Sequence, residues 1–550
     1  MESIKNILLK KLLIFWKTVF KYKASRRFWL IICSVLPASA IFFRLAAESH
    51  FLFSLVKALT RKNPDFFTWQ HWNYIFSISA MFAAVFCFLT GVLILESWRC
   101  FAIKIISNNK AFTALFIAVF FLFRIVPAQN PFTGEDGMFA DVFLSHPPNP
   151  EYLQIGRIDG KTIYTHPQHP AIMYEILGYT GDFLKKIIPY NKTNVLFNFN
   201  IIRLSFSLFQ LTVWIGLLFI IHSITHVQSL LARVMLLIMA NTPMAVNNSI
   251  DIQMDTSIGI LSAGVLGWAL LGRLHPRPSV LSWIGLFTAG IFIGIGKNEW
   301  TALLFASSLL FFTAWFILKE KTNVTRNVYI SIALLLAGCL LGNIWGYLYD
   351  APNYLGGWKL LNRMKSSHSV INAGALWQWL AMTRGRLPFI VPQMFLMLLA
   401  GYFFIIHKKY NWVLLFAMAC SVVYFGAFFF SSWGDFVRYF APSYIFLAVT
   451  VIIGLQISEI IPRPRLVITA VCIIFTLVSV IYIALETFRM PGRLDAYTQY
   501  QQKMIAADGK LMYTDSSYTF NKKVDYIQNN LDFKDAEAIA EKYQKKLHRF

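Results

Sequence analysis

Three carboxylates, Glu135, Asp136 and Asp141, stand close together in Pro131-Phe-Thr-Gly-Glu-Asp-Gly-Met-Phe-Ala-Asp141. A carboxylate held near a hydroxyl can take its proton as a general base. Glu135 and Asp136 are neighbours, so in a turn their side chains point different ways. One can face a reaction while the other orients a partner. Asp141 comes near Asp136 over a short helical turn. A solvated acidic loop, helped by Gly134 and Gly137, accounts for the same spacing. His166 and His169, each followed by proline, offer two nitrogens that could join these acids at a metal; they could equally shape a turn.

Further charged residues lie at the ends of apolar runs. Asp251 and Asp255 are four apart, the spacing that shares one helix face. Two acids there need a cation or water; capping a helix start would also explain them. Lys297 follows Gly290-Ile-Phe-Ile-Gly294-Ile-Gly296 and precedes Glu299 and Trp300. It reads either as a cation for a lipid-borne phosphate or as half of a Lys–Glu surface pair, which contributes little. The glycines at 290 and 294 have the spacing that lets helices approach closely. Asp435 and Arg438 sit in Ser431-Ser-Trp-Gly-Asp-Phe-Val-Arg-Tyr-Phe-Ala-Pro442. An arginine fork matches phosphate oxygens, or here pairs with Asp435. Arg384 and Arg386 belong to an aromatic and basic stretch with Tyr354, Trp358, Arg363, His368 and Trp377.

The elements that must position these residues are apolar. Of 550 residues, 57% are hydrophobic and 14% charged, against about 25% charged in a soluble domain. A membrane span needs about 20 mostly apolar residues. About thirteen runs qualify, near 28–47, 73–95, 111–127, 199–221, 229–247, 252–272, 280–296, 300–318, 327–348, 388–407, 411–430, 439–458 and 465–487. The expectation is an all-α polytopic membrane protein embedded in a lipid bilayer. In a soluble protein the net charge of +23 would point to nucleic acid. Here the basic residues gather in alternate short loops, 99–110, 273–277, 319–326, 408–409 and 463–465, as the positive-inside rule requires. Only Arg61 and Lys62 depart from it. The N-terminus is then cytoplasmic, and the loops 128–198 and 349–387 face outward together with the tail. A carboxylate near lipid is too costly to keep without a partner or a task, so the acids at the outer ends mark a site.

The chain divides into a basic segment, 1–27, two additional spans within 28–110, a core over 111–487, and a polar region over 488–550. The first loop ends in Ile172, Ile176, Tyr179, Phe183 and Ile187, whose spacing predicts an amphipathic helix over 170–188 lying in the outer interface. In the tail, Ala536, Ile539, Ala540, Tyr543 and Leu547 predict a helix over 533–547, part of a small appendage docked on the loops. The six cysteines have no metal-ligand spacing and predict no disulfide framework.

Taken together the chain resembles the GT-C fold glycosyltransferases that use polyprenyl-phosphate sugars, a group that includes protein O-mannosyltransferases and aminoarabinose transferases. The resemblance rests on Glu135-Asp136-Gly-Met-Phe139-Ala140, on His166-Pro-Gln-His-Pro-Ala-Ile-Met-Tyr174, on Asp251 or Asp255 at a middle span, and on Arg438-Tyr-Phe-Ala-Pro442, over roughly residues 111–460. The acidic pair is Glu-Asp where Asp-Glu is commoner in the family, and the first two spans stand ahead of the family's core. The resemblance implies transfer of one sugar from a polyprenyl-phosphate donor to a glycan, lipid or protein acceptor at the outer face of a membrane, the bacterial inner membrane being the expected one. It implies Asp136 as general base, with Glu135 as alternative, and inversion at the anomeric carbon. Lys297 and Arg438, then Arg384 and Arg386, would meet the leaving phosphate. Some relatives need a divalent metal, Mg or Mn, and others do not. Two other classes stay open. A lipid-linked sugar flippase would show mid-span charges and broken helices in matching halves. A surface-polysaccharide polymerase or ligase would use Arg363, His368, Arg384 and Arg386.

Overall fold

A computed structural model describes residues 96–125, 127–129, 153–158, 161–165, 171–187, 195–223, 229–274, 280–318, 326–349, 351, 387–406, 411–429, 437–458, 511–514, 526–528, 533–542 and 544–549. Glu135, Asp136, Asp141, His166, His169, Arg384, Arg386 and Asp435 lie outside them, as do the basic segment, the apolar runs 28–47, 73–95 and 465–487, and most of the loop 349–387.

Most of the stretch 99–110, expected as a short basic loop, is instead helical in α1 (Glu96–Ser107). The other described helices lie close to their expected limits: α2 (Asn109–Ile125), α3 (Ala171–Ile187), α4 (Val195–Ser223), α5 (Ser229–Ala240), α6 (Pro243–Ile250), α7 (Ile260–Gly272), α8 (Val280–Gly294), α9 (Asn298–Ile317), α10 (Arg326–Tyr349), α11 (Leu387–Ile406), α12 (Trp412–Phe429) and α13 (Ala441–Ile457). Five described spans are long and apolar enough to cross a membrane, or six if α5 and α6 count as one broken span. The chain is a multi-pass membrane protein.

The run 229–247, expected as one span, breaks. Thr242 Oγ1 accepts from the Ala245 N–H, Pro243 opens α6, and the two helices bend by 55°. Proline is favoured at a helix start, where its missing N–H has no partner to lose. The run 252–272 also starts irregularly, with a π turn over Asp255–Gly259 ahead of α7. α13 lies at the centre of the bundle, every residue from Ala441 to Gln456 buried.

α8 and α10 meet glycine to glycine. A Cβ on Gly290, Gly294, Gly338 or Gly342 would overlap the carbonyl oxygen of Leu335, Cys339, Phe287 or Ile291 respectively. The close approach expected of Gly290 and Gly294 is therefore made against a matching pair on α10.

α3 is the helix expected after the histidines. It buries Leu177 and Leu184 and exposes Tyr179, Phe183 and Ile187. That apolar stripe suits the lipid interface.

The all-α expectation needs correction. A five-stranded sheet, order β2-β1-β4-β3-β5, joins the first long loop to the tail. Its strands are β1 (Leu153–Ile158), β2 (Lys161–Thr165), β3 (Leu511–Thr514), β4 (Tyr526–Gln528) and β5 (Leu547–Arg549). β1 and β2 form an antiparallel hairpin in which Ile158 faces Lys161. Only Asp159-Gly160 stands between them, a dipeptide favoured in two-residue hairpin turns. β4 adds antiparallel to β1, with Gly156 facing Ile527 and Arg157 facing Tyr526. The tail helix is shorter than expected: α14 runs Phe533–Lys542, Gln544 turns left-handed at φ 53°, and Leu547 opens β5 instead of continuing the helix.

Candidate functional site

At one end of the bundle four irregular pieces of backbone meet: the α5–α6 break, the π turn, the link from α8 to α9, and a 3-10 turn over Val437–Phe440 ahead of α13. Lys297 occupies the link. Its Nζ donates to Asp255 Oδ2 at 2.6 Å, and both residues are buried, 7% and 2% exposed. The ring of Tyr439 lies 5.2 Å from the same Nζ. Arg438, half-buried, lies with its guanidinium carbon 5.2 Å from that ring. Burial is the largest single influence and would lower the lysine's pKa, but Asp255, Tyr439 and Glu299 together outweigh it and the net direction is upward. The cation therefore stays charged at neutral pH.

Local sequence explains how the pair is held. Trp300 lies in the first turn of α9, its N–H bonded to the Lys297 carbonyl at 2.9 Å. Its indole packs on Gly259 at the end of the π turn and on Gly296 beside the lysine, where any Cβ would collide with the ring. Tyr424 Oη donates to the Trp300 carbonyl at 2.8 Å. Thr256 Oγ1 donates to the carbonyls of Asp251 and Gln253 and accepts the Gln253 N–H at 3.2 Å, closing the turn ahead of Asp255. The turn that carries the carboxylate and the loop that carries the ammonium are thus clamped by one tryptophan.

Two expectations change here. Asp251 and Asp255 do not share a helix face. Asp251 is the extended C-cap of α6, half-buried, and Asp255 begins the π turn. Lys297 is not half of a surface pair with Glu299; its partner is Asp255, 42 residues earlier. The two acids part because one helix ends at Asp251 and a separate π turn begins at Asp255, a break that a regular helical spacing cannot express.

Fold comparison decides the architecture. No known family model and no curated protein matches the chain. ArnT from Cupriavidus metallidurans in the apo state matches with TM-score 0.51 and 11% identity, covering 80% of this chain and 89% of that chain. The same protein bound to undecaprenyl phosphate matches with TM-score 0.52 and 11% identity, covering 80% and 88%. The fold is GT-C. At that identity the likeness speaks for the fold alone, and the GT-C frame is what the sequence motifs implied.

Within this GT-C frame one residue escaped the sequence reading. Arg124, in the last turn of α2, is fully buried. It donates to Ser249 Oγ at 2.6 Å, Gln210 Oε1 at 2.9 Å, Asn241 Oδ1 at 3.1 Å, and the carbonyls of Phe120, Ala240 and Ala245. One guanidinium therefore ties α2 and α4 to both sides of the α5–α6 break. It lies eleven residues before Glu135 in the sequence. The available signal was a charged residue inside an apolar run, which is rare without a buried task. Among the described residues no three His, Cys, Asp or Glu side chains stand close enough to hold a metal.

Proposed function

We propose that the chain is a membrane glycosyltransferase that moves a single sugar from a polyprenyl-phosphate carrier to an acceptor on the extracytoplasmic face. The observation that carries this reading is the buried Lys297 held charged beside irregular backbone. It occurs in a fold whose solved example holds undecaprenyl phosphate. A lysine ammonium has three donors. Asp255 takes one, orienting the group and leaving two for phosphate oxygens.

In the reaction, Asp136, or Glu135 in its place, removes the acceptor's hydroxyl proton. The oxygen attacks the anomeric carbon from the side opposite the phosphate, so configuration inverts. The bond from that carbon to the phosphate oxygen breaks, and the polyprenyl phosphate leaves with the electron pair. Lys297 and Arg438 meet the charge that develops there, with Arg384 and Arg386 next. Fixed cations aimed at developing charge supply one of the larger contributions to such a step. Asp141, His166, His169, Asp251 and Asp435 remain substrate-side candidates. Should a divalent metal take part, His166 and His169 with whichever of Glu135 and Asp136 is not the base would hold it, and it would add positive charge near the phosphate.

One observation favours a second reading. The α5–α6 break resembles the interrupted helices of transporters, so a lipid-linked sugar flippase is the alternative. The deciding experiment is mass spectrometry of surface glycolipids and glycans from a deletion strain complemented with wild type or Asp136→Asn. A one-sugar mass increment restored by wild type and not by a normally expressed Asp136→Asn supports the transferase. Full complementation by Asp136→Asn removes the base assignment and moves the flippase ahead.

A further inference from the structure

Two of the buried amides without partners lie on helices that pack around the Lys297 corner. Asn248, on α6, is 1% exposed, and neither its Oδ1 nor its Nδ2 meets a hydrogen-bonding group. Gln393, on α11, is 0% exposed; its Oε1 accepts from Ser443 Oγ at 3.1 Å and its Nε2 is unpartnered. A buried amide group left without a partner is destabilising, so each such group calls for a reason.

Their positions supply one. Ser443, which holds Gln393, also donates to the Phe440 carbonyl at 2.8 Å. Phe440 follows Tyr439, the ring that faces Lys297. α6, which carries Asn248, packs against α11, the π turn and the 3-10 turn of Arg438. Both amides thus stand around the elements that hold the cation pair. They present a free acceptor and free donors, all neutral. That mix of donors and an acceptor suits hydroxyls, which both donate and accept, better than a phosphate, which only accepts, and far better than an apolar chain.

We propose that Asn248 and Gln393 line the subsite that recognises hydroxyl groups of the transferred sugar, one step beyond the phosphate-binding Lys297. This rests on the glycosyltransferase reading and names its substrate contact. The cost of burying two unpaired amides is offset when sugar hydroxyls bond to them, so binding is selective for the sugar-bearing carrier over the bare one. A third unpartnered amide, Gln456, is buried at the other end of α13. Thirteen residues along a helix place it about 20 Å from Ser443, and it provides an internal control.

The test uses the full chain in lipid nanodiscs. Binding of undecaprenyl phosphate is compared with binding of undecaprenyl phosphate carrying glucose, galactose or mannose, together with thermal stability. For wild type, at least one sugar-bearing probe is expected to bind about tenfold or more tighter than the bare carrier. Asn248→Leu and Gln393→Met are expected to erase most of that preference, leave bare-carrier binding within about twofold, and hold or raise the melting temperature, because unsatisfied polar atoms have been removed. Ser443 keeps its bond to Phe440 in the second variant. Gln456→Leu is expected to keep the preference. Three results overturn the proposal: wild type that prefers no sugar, variants that keep the preference, or variants that lose stability and bind all probes more weakly, the mark of amides serving fixed structural waters. If wild type does not bind undecaprenyl phosphate at all, the glycosyltransferase reading fails first and this subsite falls with it.

Discussion

Arg124 and Lys297 are both buried cations, yet their surroundings differ in kind. Arg124 meets six neutral acceptors from α2, α4, α5 and α6, and its guanidinium carbon lies 3.4 Å from the Phe120 ring centroid. Lys297 makes one hydrogen bond among the described residues, to a carboxylate, in the link between two helices beside an irregular turn. A guanidinium spread over acceptors from several elements ties their backbone together. An ammonium with donors to spare, hydrogen-bonded to one carboxylate and held charged by it together with Tyr439 and Glu299, is equipped to meet an incoming anion. The contrast separates the scaffold of this end of the bundle from the group that scaffold presents.

The largest effect expected from breaking the contrast is at Arg124. Arg124→Met strands carbonyls and side-chain oxygens of four helices at once, a loss in the exceptional range of about 4 kcal/mol or more. Arg124→Lys recovers little, because a point-like ammonium cannot span the fork of acceptors. SDS-unfolding midpoints and yield of folded protein measure both. If Arg124→Met unfolds at the wild-type midpoint, the hub has no structural role and the contrast collapses.

Lys297 comes next and sharpens it. Lys297→Met leaves Asp255 buried and unpaired, which destabilises by about 3–5 kcal/mol. Adding Asp255→Leu removes the stranded charge and recovers most of that stability, since apolar replacement of a buried pair is often neutral. Undecaprenyl phosphate binding and transfer stay lost in the double variant, transfer by about 100-fold or more. Recovery of stability together with binding would reduce Lys297 to another piece of scaffold.

How much of this was legible in the sequence follows from the range of each interaction. Spans were legible because twenty apolar residues in a row are a local signal; α9, expected over 300–318, runs 298–317. Lys297 and Asp255 were each recognisable as chemistry, but their union was not: a contact across 42 residues of chain leaves no periodicity. Thr242-Pro243 carried a helix-start signal inside an apolar run, and hydropathy alone smoothed over it. The pairing of β1 with β2 had a local signal in the dipeptide Asp159-Gly160, weaker than the helical periodicity of the segment that follows. The pairing of β1 with β4 joins residues 156 and 527, and only folding brings them together.

The smallest effect tests whether the scaffold extends to the helix that delivers Lys297. α8 ends three residues before it and is seated on α10 through the four glycines. Gly338→Ala pushes a methyl into the Phe287 carbonyl, a backbone atom that cannot turn aside, and should destabilise by about 1–3 kcal/mol. Gly401 and Gly426 have open space where a Cβ would go. In those helix interiors alanine should stabilise by about 0.5–1 kcal/mol. SDS-unfolding midpoints of the three variants give opposite signs if contact with α10 sets the position of α8. Equal shifts would mean that helix propensity alone is being measured. A loss confined to Gly338→Ala, accompanied by weaker undecaprenyl phosphate binding, would show that the glycine seam holds Lys297 in register with Asp255.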